Sequence, residues 1–351
     1  MASGDTTVGS RDYTYPMRQP AATLWYHDHR MDFTGPAVWR GLAGFHLIRD
    51  ATERGLPDGA RDLPLMIADR SFDADGSFRY PSVDPSLRGA PGVTGDHHAG
   101  VLGDVLLVNG VPWPVARVPR ARHRLRLLNA SNARRYRLRL DPPRPLVQIG
   151  TDGGLLTAPV EHDAIELAPG QRYDVIVDFA GYREGQRVTL RNDFGSGATD
   201  RVMRFDVGAT VQDTSRIPDR LAAATTLAGP VAAARSLHFQ RGGDSWTVNG
   251  RPFDPDVPIA SPRLGAVEVW RLTSDFHHPV HVHLGRFEVI SRGLGGPGPF
   301  DAGPKDTIDL RPAEEVSVRV RFDDHPGRYV LHCHNLEHED MAMMATIRVT
   351  A

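Results

Sequence analysis

Of the chain's sixteen histidines, eight fall in three short motifs: His27-x-His29, His278-x-x-His281-x-His283, and His332-Cys333-His334 followed by His338 and Met343. Side chains alternate along a β-strand, so His332 and His334 are expected on one face and Cys333 on the other. One short strand can then serve two metal sites on opposite sides, joined through the peptide. His27 and His29 would likewise share a face, as would His281 and His283 if their strand is regular. Cys333, His338 and Met343 follow one another at offsets of five, a compact loop able to close a site of thiolate, imidazole and weak axial thioether. With a second imidazole this is the ligand set of type 1 (blue) copper: soft sulfur stabilises the reduced ion, and imidazole suits both oxidation states. Zinc is the competing reading of a Cys–His cluster, but a structural zinc site takes four Cys or His ligands and has no use for Met. For Met343 alone the competing reading is core packing, because Met341 and Met344 lie beside it.

The elements that would carry these residues read as strands. Pro and Gly are plentiful, 28 and 35 residues, and short alternating runs recur between them, the pattern of an all-β sandwich. Leu125 and Leu127, then Tyr136, Leu138 and Leu140, alternate with arginines; Val316, Val318, Val320 and Phe322 alternate with Ser317, Arg319 and Arg321. The stretch Leu167 to Phe179 matches Leu310 to Phe322 in length and pattern at an offset of 143 residues, and Val108-Asn109-Gly110 recurs as Val248-Asn249-Gly250. Two domains of one kind in tandem are implied. A third, incomplete copy precedes them, since Gln19 to His29 parallels Asp324 to His334, each ending in His-x-His. The expected division is 1–55 as a partial first domain, 56–225 as a second domain with linkers, and 226–351 as a third. Val188 to Asn192, the middle copy's counterpart of the metal-bearing strand, has neither Cys nor His, so that domain is expected to hold no copper.

The stretches TLWYHDHR (23 to 30), HPVHVHL (278 to 284) and HCHNLEHEDMAMM (332 to 344) resemble three of the four copper signatures of multicopper oxidases, in particular the bacterial laccase, bilirubin oxidase and phenoxazinone synthase branch. The resemblance in layout covers essentially the whole chain. It implies tandem cupredoxin-like Greek-key β-sandwiches, the first incomplete, and one-electron oxidation at a type 1 copper coupled to reduction of dioxygen to water at a trinuclear copper cluster. It assigns His278, Cys333 and His338 to the type 1 copper, with Met343 axial. It assigns His29, His283 and His332 to one type 3 copper, His27 and His334 to the other, and His281 to type 2 copper. The fourth signature, His-x-His-Gly, does not occur in these 351 residues; by the repeat spacing it would fall ahead of residue 1. Six of the family's eight cluster histidines are therefore in hand, and a depleted type 2 and type 3 cluster is expected, since one or two imidazoles do not make a preorganised copper site. His97 and His98 could substitute, although a solvated loop pair is the plainer reading. Glu339 matches an acidic position that the family uses to relay protons, with a surface salt bridge as the alternative.

Composition excludes some partners. Lys plus Arg is 41 against 43 for Asp plus Glu, a net charge of −2 that gives no bulk attraction to nucleic acid or anionic membranes. Neither a signal-like start nor a run of eighteen apolar residues is present, so the chain as given reads as cytoplasmic, export by a removed upstream signal being the alternative. The single cysteine, Cys333, excludes an intrachain disulfide. The expected partners are dioxygen and a small aromatic reductant, a phenol or aminophenol oxidised through access to a type 1 ligand imidazole; an oligomer is compatible with all of this. Two rival readings are a copper-binding or electron-transfer protein that keeps type 1 copper without oxygen chemistry, and a copper nitrite reductase-like enzyme. The histidines on both sides of Cys333 argue against the latter.

Overall fold

The computed structural model describes residues 10, 12–80, 100–223, 227–243 and 245–351, and within them the regular secondary structure is almost entirely strands. Its first sheet is a hairpin, Ala22–His27 against Ala43–Ile48, with a one-turn helix Thr34–Trp39 between. Four larger sheets pack in pairs. In the first pair a seven-stranded sheet, which includes Arg122–Asn129, Arg172–Asp178 and Asp62–Arg70, faces a five-stranded one built around Tyr136–Asp141 and Arg187–Asn192. In the second pair a sheet with Val267–Ser274 and Glu315–Arg321 faces a sheet ordered Pro258–Ala260, Met344–Val349, Gly327–Cys333, His278–Val282, Thr307–Leu310. The strands Arg172–Asp178 and Glu315–Arg321 hold the same place at the 143-residue offset, each paired with a long central strand of its own sandwich.

Each sandwich closes on its own core. Leu125, Leu127, Tyr136, Leu138, Leu140, Val175, Val177 and Phe205 fill the first; Phe239, Trp270, Leu272, Val280, Phe287, Val318, Leu331, Cys333 and Met343 fill the second. The period of two is visible in burial, with Tyr136, Leu138 and Leu140 inside while Arg137 and Arg139 pair outside with Glu166 and Asp193.

On the strand Arg122–Asn129 the alternation has a different meaning. Arg124 and Arg126 are as buried as Leu125 and Leu127 beside them, because the connection after Ile48 lies across that face. Arg126 bonds Asp62 through Nε at 2.8 Å and Nη2 at 2.9 Å, and reaches Thr23 Oγ1 at 2.9 Å. Arg124 bonds Asp174 and Glu53. Asp62 and Asp174 lie in the same sheet as the arginines; the bonds to Glu53, which Arg124 and Arg126 share, and to Thr23 fasten the linker and the first hairpin to the middle sandwich. Breaking a buried pair from one side costs about 3–5 kcal/mol, so Arg126→Met should loosen the linker and open it to trypsin after Arg49, Arg54 and Arg61 under conditions where the sandwiches stay folded. Cleavage no faster than in the parent would mean that the linker is held by something else.

Candidate metal centre

The third domain places its two histidine-bearing strands side by side in antiparallel register, His281 opposite His332 and Val280 opposite Cys333. Both strands are covered on one face by the sandwich core and on the other by the first and middle domains, so the register sets which residue faces which compartment.

On the core side Cys333 Sγ lies 3.5 Å from His278 Nδ1 and 3.7 Å from His338 Nδ1, and the two imidazole nitrogens are 3.2 Å apart. An ion with tetrahedral angles and bonds of about 2.0–2.3 Å separates its donors by about 3.3–3.8 Å, so the three atoms frame one metal. Burial pushes the Cys333 thiol far above its ordinary range, so its proton leaves against a bound cation rather than to solvent. His278 Nε2 is bonded at 3.0 Å to Asp275 Oδ1, which fixes the ring with Nδ1 towards the sulfur. Trp246 lies over His338 with ring centroids 4.0 Å apart. Met343 is buried in the same core, and its backbone is tied to both neighbours: its carbonyl accepts from Cys333 N at 3.0 Å, and its N–H donates to the His338 carbonyl at 2.9 Å. His338 sits in the short helix Leu336–Asp340, pinned on both sides. Glu337 accepts from Tyr80 Oη at 2.8 Å, Asn132 Nδ2 at 2.7 Å and Val101 N at 2.9 Å. Asp340 accepts from Thr34 N and Gly35 N at 2.9 and 2.8 Å.

Across the strand six imidazoles gather. His29 Nε2 and His283 Nε2 lie 3.2 and 3.0 Å from His332 Nε2, a second set of three converging donors. His27 and His334 approach edge to face at 5.4 Å between centroids, and His281 links the two sets, 4.9 Å from His283 and 5.9 Å from His334. Packed nitrogens with no intervening donor suit a cation. His334 Nδ1 is buried without a hydrogen-bond partner. Burial holds His27, His283 and His334 below the ordinary histidine range and brings His29 down to about 4, leaving these rings neutral and able to ligate at pH 7. The strand periodicity ends earlier than the sequence reading had it: His29, His283 and His334 lie just past their strands, yet still turn into the same pocket.

Glu339 is no surface salt bridge. Its carboxylate is buried behind the cluster, with Oε2 3.1 Å from His332 Nδ1 and Oε1 3.5 Å from His29 Nδ1. Burial pushes the acid up, but the imidazoles of His332 and His29 outweigh it and hold the carboxyl well below its usual range. His97 and His98 lie outside the described residues. His277 stays at the surface beside Asp309, and His123 and His162 make local bonds to the Ala121 carbonyl and Gln148. Access to a type 1 imidazole needs correcting, since His278 and His338 are only 0 and 3% exposed; Trp246 packs against both rings, and the half-exposed Phe276 packs on Trp246. Sequence reading missed Asp275, Trp246, Asp306 and Thr307, the last two bonded to His281. Only Asp275, three residues before His278, carried a local signal as a carboxylate beside a ligand histidine.

Three family models described as multicopper oxidase match residues 6–53, 87–204 and 229–351. A laccase of Bacillus stratosphericus is 39% identical over 95% of this chain and 72% of its own length. A bilirubin oxidase of Albifimbria verrucaria is 35% identical over 98% of this chain, which spans 64% of that relative. The crystal structure of the McoA multicopper oxidase from the hyperthermophile Aquifex aeolicus superposes with a TM-score of 0.86 at 31% identity, covering 95% of this chain and 76% of that one. With two converging donor sets on opposite sides of one strand and relatives of this similarity, the chain belongs to the multicopper oxidase family and is a copper-dependent oxidoreductase.

Proposed function

We propose that the chain is a laccase-like oxidase of phenolic or aminophenolic donors with dioxygen as acceptor, and that His278, Cys333 and His338, with Met343 as a further ligand, would hold its type 1 copper. The observation that carries this reading is the back-to-back placement of Cys333 and His332, neighbours in sequence whose ligating atoms face different donor sets. Copper, when bound, supplies the one-electron couple that thiol and imidazole lack. The protein's own groups do the rest. Asp275 and Trp246 hold the two imidazoles, and burial keeps water from the sulfur. A donor meets the half-exposed Phe276, packed on the buried Trp246, rather than a ligand ring, so aromatic stacking there favours flat, electron-rich donors.

On the other face Glu339 sits where a proton can be held beside His332 Nδ1 and His29 Nδ1, and oxygen reduction consumes protons. Six cluster imidazoles, two fewer than the family pattern, support a depleted cluster and slow oxygen turnover by this 351-residue chain. The same shortage supports a second reading, an electron-transfer protein that keeps type 1 copper alone.

Copper content and absorption spectra of the parent and Cys333→Ser proteins test the reading. The parent should hold type 1 copper firmly, with an intense thiolate-to-copper charge-transfer band, and cluster copper only in part; Cys333→Ser should lose the band and stay folded. A band that survives the substitution contradicts the type 1 assignment. A full complement of cluster copper with rapid oxygen consumption contradicts depletion, and points to His97 and His98 as replacement ligands. Glu339→Gln keeps the shape and removes the proton site, so oxygen consumption should fall by about 10²-fold while anaerobic reduction of the type 1 copper by the donor keeps its rate. Undiminished oxygen consumption would remove Glu339 from the proton path.

A further inference from the structure

The middle sandwich reaches the segment behind the histidine cluster through a buried arginine. We infer that Arg172 is a positioning residue for His281, clamping Asp306 so that the His281 ring presents its Nε2 lone pair to the cluster.

Arg172 is buried at the junction of all three domains. Its guanidinium grips the Asp306 carboxylate with both prongs, Nη1 to Oδ1 at 2.7 Å and Nη2 to Oδ2 at 2.6 Å. The other donors go to backbone carbonyls: Nε to Thr23 at 3.0 Å, Nη1 to Gly170 at 2.9 Å and Nη2 to Asp152 at 3.0 Å. A guanidinium has five N–H donors, and all of them are used, so the fork has one orientation. Asp152 braces the same segment from behind, its Oδ2 accepting from Asp306 N at 3.4 Å and Thr307 N at 3.3 Å.

The clamped segment is what His281 bonds. Its Nδ1 lies 3.0 Å from the Asp306 carbonyl and 3.1 Å from Thr307 Oγ1, and Thr307 Oγ1 in turn donates to Asp306 Oδ1 at 2.8 Å. A carbonyl can only accept, so Nδ1 carries the hydrogen and Nε2 keeps its lone pair, the tautomer that a metal needs. Ring direction therefore follows from where residues 306 and 307 are held: within their own sheet by the pairing of Thr307 with His281 and by the Val282 N–H, which donates to the Asp306 carbonyl at 2.9 Å, and from the neighbouring domain by Arg172 and Asp152 on the Asp306 side chain and the backbone N–H groups. The same loop orients a second ring. Gly170, at φ +80°, lies so close to His334 that a Cβ there would come within 2.8 Å of the ring, and its carbonyl is one of those that Arg172 fixes. Thr23, a third anchor, belongs to the strand that leads to His27.

That His281 binds copper rests on the function proposed above; the ring's orientation does not, and it can be read without metal. In the copper-free chain with ¹⁵N-labelled histidine, at a pH where imidazoles are neutral, His281 should be the Nδ1–H tautomer, assigned by comparison with His281→Gln. Arg172→Met should turn it into a mixture, weaken cluster copper by about 10–100-fold and leave the type 1 band in place; Arg172→Lys should restore part of both. Should Arg172→Met fail to fold, Asp306→Asn, which keeps the planar shape but breaks the fork, is expected to give the same mixture. Arg124→Met removes a comparably buried arginine of the same domain, and should cost stability without touching the tautomer. An unchanged His281 tautomer in both Arg172→Met and Asp306→Asn, or an equal shift in Arg124→Met, overturns the inference. A shifted tautomer with unchanged cluster copper upholds the clamp and overturns instead the reading of His281 as a ligand.

Discussion

Residues 332 and 333 are adjacent in the chain and face opposite ways, and that geometry holds only while their strand is buried on both sides in one register. The sandwich core covers Cys333; the hairpin of the first domain and the loops of the second cover His332. Slipping the strand by one residue would send the sulfur into the imidazole cluster and a histidine into the apolar core. The antiparallel partner His278–Val282, with His281 opposite His332, brings the second histidine row to the same place, so a single pairing sets both donor sets.

Holding that register falls to buried charge at the domain junctions as much as to the two cores. Arg126 and Arg124 fasten the linker and first hairpin, Arg172 joins three domains around Asp306, and Glu337 and Asp340 anchor the helix of His338 from opposite ends. The arginines are paired with carboxylates, and Glu337 and Asp340, which burial pushes up, are hydrogen-bonded by neutral donors, as a low-dielectric junction demands. Such pairs contribute less to net stability than to a unique arrangement, and a metal centre assembled from separate domains needs that uniqueness, because donors a few tenths of an ångström out of place no longer converge. The middle domain has no histidine in either donor set, yet it supplies the contacts that hold Asp306, Gly170 and Asn132 in place around them.

Much of this was legible in the chain. The strands Arg172–Asp178 and Glu315–Arg321 follow from the 143-residue repeat, because alternating valines bounded by Gly and Pro admit few other structures. The ligand motifs were legible because metal chemistry demands specific residue types at short spacing. What stayed hidden was set by contacts between distant segments. Arg124 and Arg126 look like a solvated strand face, and only the linker folded across them makes them interior. Nothing in the sequence ties Trp246 or Arg172 to the histidines they serve, about 92 and 109 residues away. Glu339 was visible as an acid, but its burial came from the helix being pinned at Glu337 and Asp340.

The most direct measurement is anomalous diffraction at the copper edge from crystals of the copper-loaded chain. One peak is expected among Cys333 Sγ, His278 Nδ1 and His338 Nδ1, and a separate one among His29, His283 and His332, with the strand between them. No copper among Cys333, His278 and His338, or copper bound by Cys333 together with His332 or His334 on one side of the strand, would contradict the arrangement on which the whole reading rests.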